Sequence, residues 1–376
     1  MITEGICDPR FAGVRDAYER CFAEGWEHGG GVSVVLEGQT VVELWGGHAD
    51  AAKTRPWGRD TLVNVWSCTK GIVALGAAML VERGRLDYAA PIAKAWPEFA
   101  AGGKERITLD LVLSHQAGLN GLSTPMNEAG LLAWDPYAQA LAAMAPLWEP
   151  GSRCIYHALS YGHLVGEPMR RVTGESVGRF VAGEIAGPLG ADFFIGLPEH
   201  EDMRAAEMIE GPKASDWVNF VLTTPFPHAC DNPRPVATAP NHRAWRAAEV
   251  PGGNGHATAS ALAKIYGMMA MGGSLDGRRV ISHDAIVEAK KPRVRGIDDS
   301  FATPAAFAAG FQIEDPIFSG VPAGKPFGHS GWGGAIGFAD PLAQVGFGYV
   351  TNRMLGFDDG IDPRRRALIA AVYGAL

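Results

Sequence analysis

The sequence has no apolar run approaching the ~20 residues of a membrane-spanning helix; the longest candidates are 72–81 and 367–373. Its first residues lack the basic start and apolar stretch of a signal peptide, so the expected location is the cytoplasm and no membrane partner is expected. Cysteine is sparse. Five residues (Cys7, Cys21, Cys68, Cys154, Cys230), odd in number and widely spaced with no CxxC pair, argue against a disulfide framework or a zinc site, and they read as reduced thiols. Charge of one sign is scarce as well: a formal net charge of -8 over 376 residues is mild, which offers no electrostatic footprint for nucleic acid. The one basic run, Arg364-Arg365-Arg366, is expected on the solvated face of a last helix. His242 and His256 flank a glycine loop and His157 and His163 lie close together, but no H-x-x-x-H with a nearby carboxylate occurs, so metal ligation is not expected. Internal repeats and low-complexity tracts are also missing.

What is present is a change of period along the chain. Residues 9–25 carry apolar positions at helical spacing (Phe11, Val14, Tyr18, Phe22), whereas 32–36 and 40–45 alternate around a tight glycine turn and predict an antiparallel hairpin. From about 67 to 270 the pattern is mainly helical, with helices expected over 131–144, 161–172 and 259–271. Strands return after 310 (310–313, 334–338, 345–351, with a turn at Asp340-Pro341), and a helix over 363–375 follows. Strands near both ends with helices between them predict an α+β architecture: one antiparallel sheet from 1–62 and 272–376, a mainly helical region over 63–271, and a site at their junction. The Pro-rich stretch 224–240 reads as a long surface loop, and loops of that length often border a site.

The strongest local signal is Trp66-Ser67-Cys68-Thr69-Lys70-Gly71, followed by an apolar helix that ends near Gly84. Ser67 at the helix start meets free backbone N–H groups, and Lys70, three residues on, shares its face. A lysine can activate a serine if burial lowers its pKa. The bland alternative is an N-cap serine followed by a surface lysine, although a solvated charge would be odd at the head of an apolar helix.

This S-x-x-K at the start of a buried helix resembles the serine β-lactamase and penicillin-binding protein superfamily. Two further segments carry the resemblance in order. Glu149-Pro150-Gly151 through Tyr156-His157-Ala158 is similar to the family's tyrosine loop, and Gly328-His329-Ser330-Gly331-Trp332-Gly333-Gly334 to its K-T-G strand. The segment 107–119 also looks like the one that follows the nucleophile helix in lactamase-like hydrolases, so the resemblance covers most of the chain. It implies Ser67 as nucleophile, Lys70 and Tyr156 as its proton-handling partners, backbone N–H groups of Ser67 and Trp332 as the oxyanion hole, and His329, Ser330, Gly331 and Trp332 against the substrate, with no cofactor and no metal. Which of Lys70 and Tyr156 is the formal base stays open.

The departures point to the substrate. His329 and Ala158 stand where the family carries a lysine and an asparagine that grip the substrate's carboxylate and amide, and a neutral imidazole is a poorer partner for a carboxylate. The chain therefore looks like the family VIII carboxylesterases, which resemble class C β-lactamases and act on small acyl esters. A β-lactamase or D-alanyl-D-alanine peptidase is the rival activity. A non-catalytic penicillin-binding-like protein is the rival of another class.

Other signals read as structural. Gly174-Glu175-Ser176-Val177-Gly178 matches a nucleophile elbow but follows a helical pattern instead of a strand, so Ser176 is expected to cap the next helix. Ser114-His115 are adjacent and cannot face one another as a dyad. Cys68 reads as a packed thiol. The loop 251–255 either lines the cleft or is a flexible turn. Trp66, Trp134, Trp148 and Trp332 are candidates for the core or for an apolar pocket wall.

Overall fold

The computed structural model describes residues 3–322, 324–357 and 361–376. The hairpin read from 32–45 is longer than expected, with strands β2 (Gly29–Leu36) and β3 (Gln39–Gly47), and Glu4–Cys7 (β1) adds to its outer edge. The late strands are β4 (Val294–Asp298), β5 (Thr303–Phe307), β6 (Gln312–Ile313), β7 (Phe327–Ser330), β8 (Ile336–Asp340) and β9 (Val345–Thr351). All nine form one antiparallel sheet in the order β1-β3-β2-β9-β8-β7-β6-β5-β4. Its centre joins the two ends of the chain, with Val34 opposite Phe347 and Gly30 opposite Thr351. The edge strands β1 and β4 and the neighbouring β5 were not expected, because Gly5, Gly296 and Pro304 interrupt the alternation that marks a strand.

Helices α1 (Ala12–Ala23) and α5 (Pro363–Tyr373) cover one face of the sheet, where Val14, Tyr18, Leu368 and Val372 pack against Val32, Val34, Phe338 and Phe347. The other face carries α2 (Cys68–Glu82) and α4 (Ala259–Ala270). In β9 the alternation Val-Gly-Phe-Gly-Tyr places large side chains on the α1/α5 face and glycines beneath α4. A Cβ on Gly346 or Gly348 would stand 2.2 or 2.3 Å from the backbone of α4, so only glycine admits the helix this close. Arg10 ties the ends of the chain together, its guanidinium donating to the carbonyls of Ala375 (2.6 Å) and Leu376 (2.8 Å).

Two expectations change. The helix over 131–144 is two helices, Glu128–Leu132 and Asp135–Ala143, because Trp134 turns left-handed (φ 66°) and Pro136 begins a new helix. The basic run on α5 is not a solvated face throughout: Arg364 is fully buried between Asp362 and Glu27, since the carboxylates at the start of α5 and after α1 draw its guanidinium inward. Among the described residues no helix is long and apolar enough to cross a membrane.

Candidate active site

Thirteen consecutive residues of α2, Cys68–Leu80, are buried, so the helix is a central post, and its first turn opens into a cleft of about 700 Å3. Trp66, held left-handed at φ 46°, turns the chain so that Ser67 begins the helix at the cleft floor. The Ser67 hydroxyl makes no cap bond to its own helix, and Lys70 is fully buried; neither half of the N-cap and surface-lysine alternative holds.

Lys70 Nζ lies 2.8 Å from Ser67 Oγ, 2.7 Å from the carbonyl oxygen of Ala158 and 2.6 Å from that of Gly252. Among the described residues no carboxylate bonds to it. Burial holds its pKa well below the usual lysine range. The geometry suits both protonation states. As an ammonium Lys70 donates to all three oxygens; as an amine it can keep both carbonyls as acceptors and turn its lone pair to the Ser67 hydroxyl proton.

Tyr156 reaches the same point from the loop before helix α3 (Ser160–Thr173). Its side chain lines the cleft beside Ser67, and Lys70 Nζ sits 4.9 Å from its ring centre. Burial drives the Tyr156 pKa upward, so the group is a phenol at neutral pH. Three contacts fix this loop: the Tyr156 N–H donates to Asp298 (3.1 Å), the Ile155 N–H to the His115 carbonyl (3.0 Å) and the His157 N–H to His115 Nδ1 (3.1 Å). Ser114 instead donates to the Asp110 carbonyl, so Ser114 and His115 form no dyad. Burial lowers the pKa of His115 well below the usual value and those of His157 and His329 to about 4 and about 3, which leaves neutral imidazoles around Lys70.

Ser330, Gly331 and Trp332 line the cleft, but His329 does not. Strand alternation turns His329 toward α2, where it is 2 % exposed and packs beside Gly71. Its expected contact with substrate is therefore replaced by a place behind the strand. The N–H groups of Ser67 and Trp332 donate to no other group among the described residues. The Trp332 indole donates to the Ala214 carbonyl (2.6 Å) and lies tilted 4.7 Å from Trp66 and edge-to-face 5.3 Å from Trp217, and with Phe301 these rings make an apolar wall. Trp134 and Trp148 do not line it.

The loop 251–255 lines the cleft through Gly252 and Gly253, and Asn254 pins it by donating to the carbonyls of Trp245 and Ala248. Pro235, within 224–240, borders the same cleft. Ser176 caps the helix Val177–Val181 and donates to Glu249 (2.5 Å), away from the cleft. The carbonyls of Ala158 and Gly252 were not foreseen, since a backbone oxygen leaves no signature in the side-chain sequence.

A family model described as Beta-lactamase matches residues 15–371. The chain is 36% identical over 367 residues to an esterase/beta-lactamase named LipL of Mycobacterium tuberculosis, covering 93% of this chain and 83% of the relative. It is 42% identical to a family VIII carboxylesterase of known crystal structure, with a TM-score of 0.93. A penicillin-binding protein homologue from Caulobacter crescentus shares 41% identity and a TM-score of 0.90; each alignment covers both chains fully.

Proposed function

Since the chain belongs to the beta-lactamase family and is a serine hydrolase, we propose that it cleaves small, uncharged acyl esters through an acyl-enzyme on Ser67. The observation that carries this reading is the Lys70 amine, held 2.8 Å from Ser67 Oγ by two backbone carbonyls and by no carboxylate among the described residues.

Lys70 takes the Ser67 hydroxyl proton as Oγ bonds to the ester carbonyl carbon, and the N–H groups of Ser67 and Trp332 hold the oxygen that becomes negative. As the tetrahedral centre collapses and the carbon to alkoxide bond breaks, Tyr156 gives its proton to the departing oxygen. Lys70 then returns the proton it holds to Tyr156. Water attacks the acyl-enzyme with its proton passing to Lys70, and collapse releases the acid and returns a proton to Ser67. The assignment of Lys70 as base and Tyr156 as acid is supported by the opposite directions in which burial moves their pKa values. The preference for uncharged acyl groups is supported by Ala158 and by His329, neutral and behind the strand.

The test is hydrolysis of p-nitrophenyl acetate and butyrate by the protein and its Ser67→Ala variant, with the acyl adduct followed by intact mass and nitrocefin as the lactam comparison. Turnover and adduct should vanish together in the variant. Undiminished turnover would remove Ser67 from the mechanism, and nitrocefin turned over faster than either ester would overturn the substrate assignment.

A further inference from the structure

The turn Gly331-Trp332-Gly333-Gly334-Ala335 joins β7 to β8 and places Trp332 on the cleft wall. Three of its five residues are glycine, and its internal bonds are Gly331 N–H to the Ala335 carbonyl (2.7 Å) and Gly334 N–H to the Gly331 carbonyl (3.2 Å). A chain so rich in glycine is conformationally permissive and does not fix a peptide plane by itself.

The fixation comes from outside the turn. The Gly333 carbonyl accepts a 2.7 Å bond from Arg364 Nη2, whose guanidinium is wholly buried at the head of α5, and a longer one of 3.4 Å from the Leu355 N–H. The same guanidinium donates to Asp362 (2.7 Å from Nη2, 3.1 Å from Nε) and, through Nη1, to the carbonyls of Arg353 (2.9 Å) and Trp26 (3.2 Å). Glu27 lies 3.4 Å from Nη1, and its carboxylate in turn accepts from the hydroxyls of Tyr349 and Thr351 on the central strand. A planar fork locked in this way has one orientation, so it specifies where the Gly333 carbonyl must be. On the cleft side the Trp332 indole is tied to the Ala214 carbonyl.

We propose that Arg364 is a positioning residue for the oxyanion hole, which clamps the turn through the Gly333 carbonyl and so aims the Trp332 N–H at the reacting carbonyl oxygen. The inference rests on the oxyanion role proposed above for Trp332. A merely neutralising arginine would satisfy Asp362 and Glu27 without a direct bond to this turn. Small misplacements of a catalytic donor cost on the order of 10²-fold in rate.

Arg364→Lys keeps the positive charge but lacks the fork. The assay compares an aryl ester with the matching thionoester, whose sulfur is a poor hydrogen-bond acceptor, so that the ratio of the two rates reports on the hole. In Arg364→Lys the ester kcat should fall about 10²-fold with KM changed less than about threefold, and the ester to thionoester ratio should collapse toward one. Val372→Ala, buried two turns along the same helix, is the stability control and should lower Tm while leaving the ratio unchanged. A folded Arg364→Lys with the wild-type ratio, or a ratio that falls equally in Val372→Ala, overturns the clamp. If Arg364→Lys does not fold, Asp362→Asn carries the test, since it loosens the same Nη2: a lowered ratio supports the clamp and an unchanged one overturns it. A wild-type protein that shows no preference for the ester would instead refute the oxyanion reading itself.

Discussion

Replacing Lys70 with methionine tests the mechanism through stability as well as rate. In the folded protein the Lys70 pKa is depressed by burial, whereas in the unfolded chain it returns to about 10.4. Between those two values the unfolded state binds the proton and the native state does not, so native stability rises with pH. It is fully present above about 10.4 and is lost as pH falls through the folded pKa. The slope is about 1.4 kcal/mol per pH unit within that window and zero below it. Lys70→Met removes the titration and leaves the carbonyls of Ala158 and Gly252 without their donor, a pH-independent offset of about 1–3 kcal/mol each. Urea unfolding of both proteins from pH 5 to 10 should therefore give a stability difference that is flat at low pH and then climbs in favour of the wild type. The break must coincide with the pH at which kcat/KM for p-nitrophenyl butyrate, corrected for spontaneous hydrolysis, stops rising, because both report the free amine. A difference that stays flat to pH 10, or two breaks more than about one pH unit apart, would refute Lys70 as the base.

Tyr156→Phe should lower kcat about 10² to 10⁴-fold for alkyl esters, whose alkoxide needs a proton, and much less for p-nitrophenyl esters, whose leaving group does not; a leaving-group series measures this. Asp298→Ala strands the N–H of Tyr156 and both donors of Ser300, and should cost about 3 kcal/mol in chemical denaturation together with a loss of kcat as the Tyr156 loop loosens. Ser176→Ala removes a helix cap remote from the cleft, so thermal unfolding should show a loss of about 1 kcal/mol while kcat/KM stays at the wild-type value.

How much of this was legible depended on distance along the chain. Ser67 and Lys70 are three residues apart on one helix, so their contact follows from helical geometry, and the hairpin 29–47 follows from alternation around one turn. The tyrosine loop was found by its order in the family pattern, because nothing in residues 149–158 alone brings Tyr156 to Ser67; that depends on Asp298 and His115, far away in sequence. Arg364 was misread because a short basic run normally faces water, and its partner Glu27 is 337 positions away. The position of His329 followed from knowing which face of β7 meets α2, a register that the residues 327–330 do not reveal by themselves.

The joining of β2 to β9 also sets a timetable for biosynthesis. Glu27 and Tyr349, bonded in the finished fold, are 322 positions apart, so at ~5–20 residues per second roughly 16 to 64 s of translation separate them. The helix that carries Ser67 leaves the ribosome early, yet the strands β4 to β9 and the turn carrying Trp332 arrive only within the last quarter of the chain. Throughout that interval the hairpin β2–β3 has an open edge where β9 belongs, the kind of exposed strand on which nascent chains aggregate. The site proposed around Ser67 and Trp332 is thus complete only when β7, β8 and β9 have docked, which ties the first appearance of activity to the last strands synthesised.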